Sequence, residues 1–104
     1  MSRSESLAAY LRSHARRRLD RVESNDEGRN ARSALALLDA ASYAASLPDD
    51  DPLLCGLEKS GCFGPHGCDD FDPGEKGDRL IRMWAGGEPH ELLLALPGVL
   101  APHP

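Results

Sequence analysis

The sequence predicts an all-α fold, an antiparallel hairpin of two long helices with three shorter helices packed across it. Three observations lead there. Ile, Val and Thr, the β-branched residues that suit a pleated surface, number one, two and none in 104 residues, and aromatics make up only 5%. A sheet would have almost nothing to be built from. Sixteen leucines and thirteen alanines supply a core from good helix formers. The apolar residues also recur at three- and four-residue spacing, as one face of a helix requires.

The first helix is expected over about 4–23. Projected at about 100° per residue, Leu7, Ala8, Leu11, Ala15, Leu19 and Val22 share one sector. Ser24-Asn25-Asp26-Glu27-Gly28 stops it, and either the Ser24-x-x-Glu27 spacing or Asp26 serves as the cap of the next helix. That second helix, over about 27–46, is apolar over most of its circumference. Ala31, Ala34, Leu35, Leu37, Leu38, Ala40, Ala41, Ala44 and Ala45 leave only Arg32, Asp39 and Tyr43 as a polar stripe. It is expected at the centre of the fold, with Leu38 in the middle of its buried arc. The short connection makes the two helices an antiparallel hairpin.

Acid–proline pairs punctuate the second half. Proline costs nothing at the first helical position, and an acid before it accepts the free amides of the first turn. Asp51-Pro52 opens a helix over about 52–60, Asp72-Pro73 one over about 73–85, and Glu88-Pro89 one over about 89–96. Gly61, Gly86-Gly87 and Pro97-Gly98 are the corresponding stops. Residues 1–100 read as one helical domain and Ala101-Pro102-His103-Pro104 as a disordered tail.

Charge is divided unevenly. Residues 1–48 hold eight arginines and six acids, whereas residues 49–104 hold four basic and eleven acidic residues, for a net charge of −5. Ten arginines against two lysines, with no Gln or Thr, read first as a coding bias. The longest apolar runs, 34–38 and 92–96, span five residues, far short of the ~20 that cross a bilayer. No apolar segment follows Arg3 to make a secretory signal, and three cysteines are an odd number. The expected setting is therefore cytoplasmic, without a membrane.

Four groups of residues bear on function. Cys55, Cys62, His66 and Cys68 offer zinc three thiolates and an imidazole, in a C-x6-C-x3-H-x-C arrangement. The spacing lacks the close cysteine pairs of zinc fingers, and Cys55 lies among Leu53, Leu54 and Leu57, so buried structural thiols and no cofactor are the preferred reading. A Cys62–Cys68 redox pair is the remaining alternative. Asp70-Phe71-Asp72-Pro73-Gly74 fails as a calcium loop, because glycine falls at the fifth position and Ile81 at the twelfth. A basic flank of the first helix gathers Arg3, Arg17, Arg18 and Arg21 with Tyr10 and His14, suited in principle to phosphates and bases. The acidic chain as a whole disfavours nucleic acid. Trp84, beside Leu80, Ile81 and Met83, belongs to the core or, if exposed, anchors a partner.

No nucleophile elbow, phosphate-binding loop, dinucleotide fingerprint or metalloprotease motif occurs. The sequence therefore points to a small non-enzymatic cytoplasmic module for protein interaction or regulation. Its partner is another protein or a second copy of the chain, with Tyr10, Arg17, Arg18, Arg21 and Trp84 as candidate contacts. Two alternatives stand beside it. One is a binding module stabilised by zinc at the cysteine loop. The other is a nucleic-acid accessory protein using the basic flank.

Overall fold

The computed structural model describes residues 2–64 and 70–100, the last four as backbone alone. It contains α1 (Arg3–Leu19), α2 (Arg29–Ala45), α3 (Pro52–Lys59), α4 (Gly74–Arg82) and α5 (Pro89–Leu100), with no strand among the described residues. Helices α1 and α2 make the most extensive pairing, the expected hairpin; α5 lies against α2, α3 and α4, and α4 also touches α1. The expected disordered tail lies outside the described residues.

Each helix end follows from a local partner. Ser2 caps α1 by accepting the Glu5 amide at 3.2 Å. The start of α1 is tied down by Asp49, whose carboxylate and carbonyl take Ser4 N and an Arg3 guanidinium nitrogen, and by an Arg3–Glu58 ion pair of 3.0 Å. Asp51 caps α3 through Leu53 N at 3.0 Å, with Pro52 at the first position as expected.

Helix α1 stops at Leu19, before the expected end near 23. Side chains downstream take over the backbone groups that a longer helix would use. Asn30 Nδ2 donates to Arg21 O at 2.9 Å, and the Asp26 carboxylate accepts Glu23 N at 3.1 Å and Gly28 N at 2.8 Å. Asp26 thus organises the turn, and these hydrogen bonds hold its carboxyl below the usual carboxylate range. The cap position of α2 belongs to Gly28 instead, at φ +76° with no side-chain cap bond, a left-handed conformation that glycine adopts without strain. Asp72 behaves similarly. It accepts Gly74 N at 2.9 Å while Pro73 occupies the cap of α4, so the helix begins one residue late.

Helix α4 ends at Arg82, three residues short of the expected end. The Arg82 carbonyl accepts from Arg18 and the Trp84 carbonyl from Ser33 Oγ, so tertiary partners take the place of another turn. Helix α5 instead runs on through Pro97 to Leu100. A proline there removes one hydrogen bond, and the fully buried Leu92, Leu93 and Leu96 hold the preceding turn in place.

The core joins Leu7, Leu11, Leu37, Leu54, Leu57, Phe63, Ile81, Leu92, Leu93 and Leu96, each with no accessible surface. Ala8, Ala15, Ala34, Ala40, Ala41 and Ala44 line the hairpin, where small side chains let the helices approach closely. Leu38 does not take the central place expected of it: it is 37% exposed and Leu35 is 61% exposed, while Leu37 is fully buried. The apolar arc of α2 is wider than its neighbours can cover, and one residue is about 100° of helix. Leu19 and Val22 are likewise about half exposed, at 50% and 48%.

Candidate functional site

The flank of α1 expected to be basic meets α4 at one carboxylate. Tyr10 and His14 are one turn apart on α1, and both reach Oδ1 of Asp78 in the middle of α4. The Tyr10 O–H donates to that oxygen, and His14 Nε2 lies 2.9 Å from it. Arg82, four residues on from Asp78, places Nε 3.5 Å from the other oxygen. Phe71 stacks edge-on against Tyr10 at 5.2 Å, and Phe63 packs against Phe71 at 5.5 Å. An aromatic wall thus closes one side of the polar node.

The charges follow from this packing. His14 is only 3% exposed, and burial holds its pKa below the ordinary value despite Asp78. At neutral pH the ring is neutral, and Nε2–H donates to the carboxylate. The Tyr10 hydrogen bond, then His14 and Arg82, keep Asp78 ionised below the usual carboxylate range. Burial and that same carboxylate push the Tyr10 phenol well above its usual range. The node is a clamp between α1 and α4 built from one anion and two neutral donors.

Beyond the clamp lies a pocket of about 170 Å³ lined by His14, Leu37 and Asp78, with Arg17, Arg18 and Arg21 from the α1 end and Arg82 from α4. Arg18 Nη1 donates to Asn30 Oδ1 at 3.0 Å, and its other amino group donates to the Arg82 carbonyl. The guanidinium groups of Arg17 and Arg21 have no hydrogen-bond or ion-pair partner among the described residues.

A second surface runs along the outside of the hairpin. A groove of about 650 Å³ is floored by Ala9, Leu19 and Leu38 and edged by Arg12, Arg16, Arg17, Ser13 and Asp20. Arg12 and Arg16 also lack an ionic or hydrogen-bonded partner among the described residues.

The structure therefore brings Tyr10, Arg17, Arg18 and Arg21 to one flank but gives them different tasks. Tyr10 is engaged with Asp78 and Phe71, and Arg18 with Asn30 and Arg82. Trp84 lies half-buried against the core, outside any helix; its indole N–H is buried without an acceptor among the described residues. Gly87, at φ +115°, sits against its ring, where a Cβ would come within 3.0 Å.

Of the expected zinc set, His66 and Cys68 lie outside the described residues. Cys55 is half-buried with its thiol 3.7 Å from the Asp50 carbonyl; Cys62 is buried, and burial, then the Asp72 charge, pushes its thiol up to about 11. No group of three or more potential metal ligands forms among the described residues. No helix among them is long and apolar enough to cross a membrane.

Asp78 and Arg82 were not singled out in the sequence. Their four-residue spacing is a faint signal, but the partners of Asp78 lie 64 and 68 residues away. Tyr10 and His14, read as members of the basic flank, were the more legible half, although the structure buries His14. No family model, curated protein or solved structure matches the chain.

Proposed function

We propose that the chain is a non-enzymatic protein-interaction module whose α1–α2 outer face receives an acidic amphipathic helix from a partner protein. The supporting observation is the groove of Ala9, Leu19 and Leu38 beneath Arg12 and Arg16. An apolar floor takes leucines spaced three and four residues apart, and the arginine rim takes carboxylates on the flanks of the same helix. Leu35, one turn from Leu38 on α2, is 61% exposed and offers further apolar surface on that helix. The chain as a whole carries a net charge of −5 with its acids concentrated after residue 48, so this face is a local positive surface on an acidic protein. The odd number of cysteines supports a reducing, cytoplasmic setting.

The test is fluorescence anisotropy with a labelled synthetic helix carrying leucines at i, i+3, i+4 and i+7 and glutamates beside them. Saturable binding is expected, weakened by Leu38→Asp and by the pair Arg12→Glu and Arg16→Glu, and lost when the glutamates become lysines. Equal binding by wild type and variants would overturn the proposal. So would a chain that sediments as a dimer through Leu35 and Leu38, which would make a second copy the occupant.

A further inference from the structure

We propose that the pocket between the C-terminal end of α1 and α4 is a binding site for a phosphate group, taken as inorganic phosphate or as the terminal group of a small phosphomonoester. Four arginines, Arg17, Arg18, Arg21 and Arg82, line a recess of about 170 Å³ with a single acid, Asp78. Guanidinium forks match the paired oxygens of an oxyanion and retain their charge at any physiological pH.

Two of the four are already positioned. Asn30 Oδ1 holds Arg18 at 3.0 Å, and Asn30 Nδ2 holds the Arg21 carbonyl at 2.9 Å, so one side chain fixes both arginine-bearing segments. Asp78 holds Arg82 through Oδ2 at 3.5 Å. Its Oδ1 is occupied by Tyr10 and His14, so the one anion in the recess already has donors on both oxygens and serves to place a cation. The other two, Arg17 and Arg21, have no partner among the described residues. Like charges around one recess repel one another, and a dianion bound among them relieves the repulsion.

The recess has an exposed arginine rim and a buried inner wall. His14 is 3% exposed and Leu37 has no accessible surface, so one face of a bound anion is shielded from water, while the exposed arginines make the attraction sensitive to salt. The small volume, about 170 Å³, suits one small free phosphate group. Some of the arginine charge offsets the negative end of the α1 dipole, which Arg16, Arg17 and Arg18 border. Arg82 borders the end of α4 in the same way, whereas Arg21 lies in the turn beyond α1, where neither helix end accounts for it.

The test is isothermal titration of the full chain with inorganic phosphate at low ionic strength, with the thermal midpoint as a second readout. Binding at one site and a raised midpoint are expected. Arg21→Gln and the pair Arg17→Gln with Arg21→Gln should each weaken binding by about tenfold or more, as for the loss of a charge-assisted contact. Lys59→Gln, which removes the same charge from the exposed end of α3, should leave it unchanged. Circular dichroism of each variant establishes that it is folded. A parallel arm uses vesicles of phosphatidylcholine with phosphatidic acid and is expected to show no co-sedimentation. The proposal is overturned by no heat and no stabilisation with millimolar phosphate. Equal weakening by Lys59→Gln and Arg21→Gln overturns it too, as does binding to the vesicles without binding to phosphate.

Discussion

Replacing Leu37 by Ala should destabilise the protein far more than replacing its neighbour Leu38, although both belong to one apolar run of α2. Leu37 has no accessible surface and Leu38 is 37% exposed. Truncation removes three carbons, about 2.4 kcal/mol of transfer free energy at about 0.8 kcal/mol per buried methylene. The cavity then adds to this, because Leu11, Ala34 and Ala41 around the hairpin are themselves packed, and the total falls within about 2–5 kcal/mol. Leu38 loses a side chain that already meets water, so about 1 kcal/mol or less is expected. Urea unfolding followed by circular dichroism reads the difference directly, as a lower midpoint with an unchanged slope. For a chain of this size each kcal/mol also moves the thermal midpoint by about 4–8 °C. Equal losses at the two positions, or a larger loss at Leu38, would refute the orientation of α2 and with it the exposed groove.

Asp78→Ala should cost about 1–3 kcal/mol, since the Tyr10 hydroxyl and His14 Nε2 lose their acceptor; chemical denaturation checks it, and a loss below about 0.5 kcal/mol would remove the clamp. Acidification should lower the thermal midpoint in two stages. Burial lowers the folded pKa of His14 below 6.5, so the unfolded chain binds the proton first and stability falls as pH drops below 6.5. The depressed pKa of Asp78 adds a second loss, beginning as pH falls below 3.8. His14→Gln should abolish the first stage alone. Asp51→Ala should cost about 1 kcal/mol by uncapping α3, read by the same urea titration. Helicity measured by circular dichroism should survive a chelator, because Cys62 joins Leu7, Leu11 and Leu37 in the core as a buried thiol, a packing role that needs no metal.

The sequence was most legible where the governing interaction is local. A chain with one isoleucine, two valines and no threonine has little from which to build a sheet, and Asp51-Pro52 opens a helix through an amide two residues away. Boundaries set by tertiary partners were less legible. The end of α1 depends on Asn30 and Asp26 reaching back across a turn, and the end of α4 on Arg18 and Ser33 reaching over from the hairpin. The face that α2 buries was ambiguous because apolar residues nearly encircle it; only the positions of α1 and α5 decide between Leu37 and Leu38. The arginines of the candidate site were visible as a flank of α1. The carboxylate that organises them was not, because Asp78 is one acid among seventeen and its partners are remote in the chain.

Helix α1 borders two different surfaces, an outer groove proposed for an acidic helix and a flank pocket proposed for phosphate. Backbone amide chemical-shift mapping of the isotope-labelled chain tests both at once. Titration with the acidic leucine-bearing peptide should shift Ala9, Arg12, Ser13, Arg16 and Leu38. Titration with inorganic phosphate should shift Arg18, Arg21, Asp78 and Arg82, with Arg17, which borders both surfaces, responding to each. Shifts from both ligands at one shared set of residues, or peptide shifts confined to the separate depression of Tyr43, Leu53, His90 and Leu94, would contradict the assignment.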